Sequence, residues 1–124
     1  MSSTRILVVD DDRSVSHVVA GILADHGFTV DIADDGESAL GLIAKNRYVL
    51  AVLDYQLPGL DGVAVFQRAR RQQPGLLGIF LTAYANLNTV FPAIDAGIER
   101  VLAKPPSRRE LLPVVDELVG PRVA

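Results

Sequence analysis

Two kinds of apolar segment alternate along this chain, and that alternation limits the fold more than any other feature. Ile6–Val9 is an unbroken run of Leu and β-branched residues, as expected of a strand covered on both faces. Val15, Val18, Val19, Ile22 and Leu23 follow, spaced as one face of a helix that Gly27 stops. Phe28–Ala33 reads as a second strand, weakened toward an edge by Asp31. Asp35 then caps a second helix with Ala39, Leu40 and Ile43 on one face. Val49–Leu53 is the most apolar run and predicts a central strand. Asp61 caps a third helix to about Gln72, punctuated by Pro74 and Gly75. Leu76–Leu81, interrupted by Gly78, is a fourth strand, Leu87–Ala96 a fourth helix containing Pro92, and Arg100–Ala103 a fifth strand. Ser107, with Glu110 three residues on, opens a last helix through a capping box.

Strand and helix thus alternate five times with short connections, as parallel strands with helical crossovers require. The expected architecture is α/β, a doubly wound five-stranded parallel sheet between two helical layers, with the flavodoxin-like strand order 2-1-3-4-5. The 124 residues are expected to form one domain, 1–124, with 120–124 as a tail, and no attached DNA-binding or catalytic effector is expected. No cysteine is present, so disulfides, thiolate metal sites and cysteine nucleophiles are excluded. A net charge of −3 supplies no basic field for direct nucleic-acid binding. No apolar run is long enough for a bilayer, and a cytoplasmic location is expected.

In open parallel sheets, sites form at the carboxyl ends of the strands. Those ends carry Asp10, Asp11 and Asp12, then Asp54, Thr82 and Lys104 after the first, third, fourth and fifth strands. Asp12 is of the helix-capping type. If the first and third strands are neighbours, Asp10 or Asp11 lies close to Asp54, and such carboxylates need a counter-ion. A hard divalent cation, Mg²⁺, fits an all-oxygen set. Zinc and copper do not, because cysteine is absent and both histidines lie on or at the end of the first helix. Lys104 adds a point charge and Thr82 a hydroxyl for an incoming phosphoryl oxygen. Read singly, Thr82 and Lys104 are ordinary strand-end residues; their joint placement at one rim predicts phosphoryl transfer onto a carboxylate.

The chain resembles the receiver domain of two-component response regulators (CheY-like, single-domain form) over essentially its whole length. The residues that carry the resemblance are Ile6–Asp11 (ILVVDD), Leu53–Gly62 (LDYQLPGLDG), Leu81–Ala83 (LTA) and Lys104–Pro105 (KP). It implies that Asp54 accepts a phosphoryl group from a histidine kinase or histidine phosphotransfer protein. It implies Mg²⁺ bound by Asp11, by Asp10 largely through water, by Asp54 and by the Gln56 backbone carbonyl. Thr82 and Lys104 would contact the phosphoryl group, and the Lys104–Pro105 peptide would be cis. Such a module signals through a downstream target protein and is not an enzyme beyond its own phosphorylation and dephosphorylation. The alternatives are a phosphorylation-independent scaffold and an aspartate-nucleophile phosphatase. The phosphatase would need an acid two residues after Asp54, where Gln56 stands. A nucleotide- or flavin-binding domain would need a Gly-rich loop where three aspartates stand.

The sequence departs from the family pattern at Val101, where an aromatic residue is usual, and at Pro106, so switching by the usual Thr–aromatic coupling is not expected. Gln56 and Tyr84 occupy positions that tune phosphoryl lifetime in the family, and Tyr84 is expected to shield the group from water. Pro92 fits a helix that begins near Phe91. Pro113 predicts a kink in the last helix, or a cap nearer Pro113 than Ser107. Arg68, Arg70 and Arg71 read as a solvated helix face. Arg108 and Arg109 sit against the dipole of a helix start, and His17 and His26 carry no assigned chemistry.

Overall fold

The computed structural model describes residues 4–83 and 97–120. Its elements are β1 (Arg5–Val9), α1 (Arg13–Asp25), β2 (Thr29–Ala33), α2 (Gly36–Lys45), β3 (Leu50–Asp54), α3 (Gly62–Gln72), β4 (Leu77–Thr82), β5 (Arg100–Ala103) and α4 (Arg108–Val119). The strands form one parallel sheet in the order β2-β1-β3-β4-β5. Leu53 is register partner to Val9 on one side and Phe80 on the other, and Phe80 to Val101. The predicted class, strand count and order are all found. The expected helix over Leu87–Ala96, with Pro92, and Tyr84 lie outside the described residues.

Period-two alternation in the strands divides the core into two layers. Leu7, Val9, Ala51, Leu53 and Phe80 face α2 and α3 with Ala39, Ile43, Val65 and Phe66. Ile6, Val8, Leu50, Val52, Ile79 and Leu81 face α1 and α4 with Val19, Leu23, Leu111 and Val115. Burying one such Leu or Phe contributes about 1.5–3 kcal/mol. β3 is buried at every position, which is why its sequence shows no polar alternation.

The predicted caps hold: Asp12, Asp35 and Asp61 accept backbone N–H groups at the starts of α1, α2 and α3. Ser107 and Glu110 form the full capping box on α4. The alternative cap near Pro113 is therefore overturned. Pro113 lies inside α4 at an exposed position, where water can take the carbonyl its missing N–H leaves free. Val18 is also a correction: it is half-exposed, and Ser16 is buried in the face of α1 instead. The Ser16 hydroxyl satisfies itself by donating to the Arg13 carbonyl (3.2 Å). Arg108 offsets its unfavourable place at a helix start by pairing with Asp25 at the end of α1 (3.1 Å).

Arg70 is the largest departure from expectation, because it is no solvated side chain. Its guanidinium donates to the carbonyls of Leu76 (2.7 and 3.0 Å) and Gly97 (2.8 Å). It also pairs with Glu99 (3.0 Å) and lies 4.3 Å from the Phe66 ring centre. Glu99 in turn accepts the Gly78 N–H (2.6 Å). Gly78 has no room for a side chain: a Cβ there would sit 2.4 Å from both Phe66 and Ile98.

Candidate phosphoacceptor site

The sheet order makes β1, β3, β4 and β5 consecutive, so the polar residues at their carboxyl ends share one rim. The hydrogen-bond ladder runs one residue beyond the strands. Asp10 N–H donates to Ala33 O (3.2 Å), Tyr55 N–H to Leu81 O (2.9 Å) and Lys104 N–H to Thr82 O (2.9 Å). The backbone under each rim residue is thereby fixed by regular sheet geometry.

Asp10 is fully buried, Asp54 and Thr82 nearly so, and Asp11 is exposed. One Asp10 oxygen accepts the Asp12 N–H (2.9 Å), and the other lies 3.4 Å from Lys104 Nζ. One Asp54 oxygen accepts the Gln56 N–H (3.0 Å), and the other lies 3.0 Å from Lys104 Nζ. Asp12 turns away from the rim to cap α1, accepting from Ser14 (2.9 Å) and Val15 (3.4 Å). The Lys104–Pro105 peptide is cis, as the resemblance implied.

Oxygen atoms of Asp10, Asp11 and Asp54 lie within 4.8 Å of one another. Three carboxylates face one ammonium. Burial, chiefly, pushes the Asp10 carboxyl above its usual range, with the Asp54 charge acting in the same sense against the Asp12 N–H and Lys104. Burial would lower Lys104, but its hydrogen bond to Asp54 and the charges of Asp54 and Asp10 outweigh that and raise it. Lys104 thus stays cationic and only partly offsets the acids. Converging hard oxygen donors with excess negative charge fit a cation such as Mg²⁺.

Gly62 is a site residue in a way the sequence did not show. Its N–H donates to the Tyr55 carbonyl (3.0 Å), and a Cβ there would fall 2.4 Å from the Asp54 carbonyl oxygen. Only glycine lets α3 begin against the backbone of Asp54. A cavity of about 780 Å³ at the opposite rim is lined by Arg5, Arg47, Tyr48 and Gln73 among others. Tyr48 and Gln73 are held there by protein groups: Gln73 accepts the Tyr48 N–H (2.9 Å) and donates to the Ile43 and Asn46 carbonyls (2.9 and 2.7 Å).

Comparison with known proteins agrees with this geometry. The pattern of the response regulator receiver domain matches residues 6–116. The chain is 42% identical over 108 residues to the response regulator MprA of a Mycobacterium species (strain KMS), covering 87% of this chain and 47% of that protein. It therefore spans about half the length of the curated relatives it matches. A CheY-like receiver domain from Methanospirillum hungatei superposes with a TM-score of 0.87 at 33% identity, covering 94% and 93% of the two chains. A Burkholderia pseudomallei response regulator, solved with a phosphorylated aspartic acid and a calcium ion, gives 0.83 at 25% identity over 94% and 66%. The chain belongs to the response-regulator receiver domains, the signalling modules of two-component systems. Among the described residues, no helix is long and apolar enough to cross a membrane.

Proposed function

We propose that this domain is a phosphoacceptor, with Asp54 as the residue that takes the phosphoryl group from a histidine kinase or phosphotransfer protein. The convergence of Asp10, Asp11 and Asp54 around one cationic side chain, Lys104, carries this reading. An Asp54 oxygen attacks phosphorus; the new P–O bond forms as the bond to the donor breaks, and the donor keeps the electron pair and takes up a proton. Gln56 N–H holds one Asp54 oxygen and Lys104 the other, so the carboxylate is oriented before the donor arrives. Lys104 pairs with the transferred group in this reading, and Thr82 contacts one of its oxygens. Asp10, Asp11, Asp54 and the Gln56 carbonyl would hold Mg²⁺, which would neutralise the converging charge.

The phosphorylated aspartate and calcium in the Burkholderia neighbour support this assignment. The output is protein contact with a downstream target. The test is incubation with Mg²⁺ and a small-molecule phosphodonor, followed by intact mass. A single phosphoryl adduct is expected, lost in Asp54→Asn and without the metal. No adduct in the unaltered protein would overturn the reading and leave the scaffold role, and one retained in Asp54→Asn would overturn Asp54 as the acceptor.

A further inference from the structure

Phosphorylation at Asp54 requires some route by which the rest of the molecule senses it. The residue next to Asp54 begins a continuous stack of rings. Tyr55 is half-buried and packs edge-on against Phe80 (centroids 5.6 Å apart, planes at 74°). Phe80 packs edge-on against Phe66 (6.1 Å, 73°), and the Arg70 guanidinium lies over the far side of that chain, 4.3 Å from the Phe66 centre. Arg70 donates to the Gly97 carbonyl and pairs with Glu99. The stack thus reaches from the phosphoacceptor to the backbone that enters β5.

Slack is distributed unevenly along it. Phe66 and Phe80 are fully buried, and the space beside Gly78 is filled to 2.4 Å by Phe66 and Ile98. Close-packed interiors shift between discrete arrangements and do not absorb small displacements. Tyr55, by contrast, is only half-buried. Its backbone is pinned on both sides, by its N–H to Leu81 and its carbonyl to Gly62. Val101, register partner of Phe80, packs partly buried against the same cluster.

We propose that the Tyr55–Phe80–Phe66–Arg70 stack couples the state of Asp54 to Val101 and to the Gly97–Glu99 backbone, with Tyr55 as the positioning residue at its upper end. This rests on Asp54 being the phosphoacceptor. Phosphorylation moves the Asp54–Gln56 backbone, the Tyr55 ring tilts on Phe80, and the tightly packed rings below pass the change to the Arg70 guanidinium.

The full chain, with ¹³C-methyl valine and ¹⁵N-arginine, is compared by NMR before and after phosphorylation with Mg²⁺ and a small phosphodonor, with intact mass recording the adduct. In the unaltered protein and in Tyr55→Phe, the Val101 methyl and Arg70 Nε signals are expected to shift. In Tyr55→Ala, and in Tyr55→Leu should the alanine variant fail to fold, the adduct still forms but both shifts fall several-fold. Undiminished shifts in the folded Ala or Leu variant, or an unaltered protein that carries the adduct with no shift at Arg70 Nε, would overturn the coupling. No adduct in the unaltered protein would overturn the phosphoacceptor reading itself, and the coupling with it.

Discussion

The two rims of the sheet are both rich in charge and follow opposite rules. At the strands' amino ends Arg5 meets Asp31 at 2.9 Å, and Asp31 also accepts the Tyr48 hydroxyl at 2.7 Å. Arg70 and Glu99 close the same side of the sheet beside β4 and β5. Each of these acids has its own cation. At the carboxyl ends Asp10, Asp11 and Asp54 converge, and Asp10 and Asp54 share Lys104. The titration behaviour follows. For Asp31 burial acts upward, but the Tyr48 and Arg5 hydrogen bonds outweigh it and hold the carboxyl below its usual range. Burial and the bond to Asp31 push the Tyr48 hydroxyl up to about 12. Asp10, with burial as the leading influence, goes the other way. Crowded like charge opposes folding, and here it falls on the residues proposed to hold a cation and accept the phosphoryl group.

The comparison can be broken at either rim, and the largest effect is expected at the closed one. Arg70→Met should lower unfolding stability by about 2 kcal/mol in a urea titration, because Glu99 loses its cation and two carbonyls lose their donor. A loss within a few tenths would show that the closed rim is not held by its pairing. Asp10→Asn at neutral pH, measured without divalent ions, should instead raise the melting temperature, by the equivalent of about 1 kcal/mol, while weakening cation binding. A destabilised Asp10→Asn would mean that the crowding is already offset. Tyr48→Phe should cost about 1 kcal/mol through the lost bond to Asp31.

The smallest effects sharpen the contrast through pH. Asp31 has a lowered folded value, so its contribution is present above the ordinary 3.8 and is lost as pH falls through that folded value. Asp10 has a raised folded value, so its cost is complete above that value and fades as pH falls toward 3.8. The advantage of Asp10→Asn should therefore shrink on acidification toward 3.8. The deficit of Tyr48→Phe should persist to that point and shrink only below it. Urea titrations across a pH series check both signs.

The strand ends were legible in the sequence because each rim residue directly follows an apolar run, so a position in the chain fixed a position in space. Asp10, Asp54, Thr82 and Lys104 needed only the parallel sheet to bring them together. Caps were legible for a similar reason, being interactions over three residues. Residues whose partners are remote in the chain were not legible. Arg70 carries the same local pattern as its solvated neighbours, and what distinguishes it is Glu99, twenty-nine residues away. The Tyr48–Asp31 and Gln73–Asn46 bonds have no local signature either. Val18 was misplaced because a helical face is known from periodicity only to within about one residue, and apolar character favoured Val18 over the small, self-bonded Ser16. The role of Gly62 was not legible either, since nothing in the sequence shows that the Asp54 carbonyl fills the space of its Cβ.

The most direct measurement of the central contrast is a Mg²⁺ titration followed by amide NMR on the unaltered protein. Saturable shifts are predicted at Asp10–Asp12 and Asp54–Gln56, with none at Asp31, Tyr48 or Gln73. Shifts at the Tyr48 rim, or no saturable shift at Asp10 and Asp54, would contradict it.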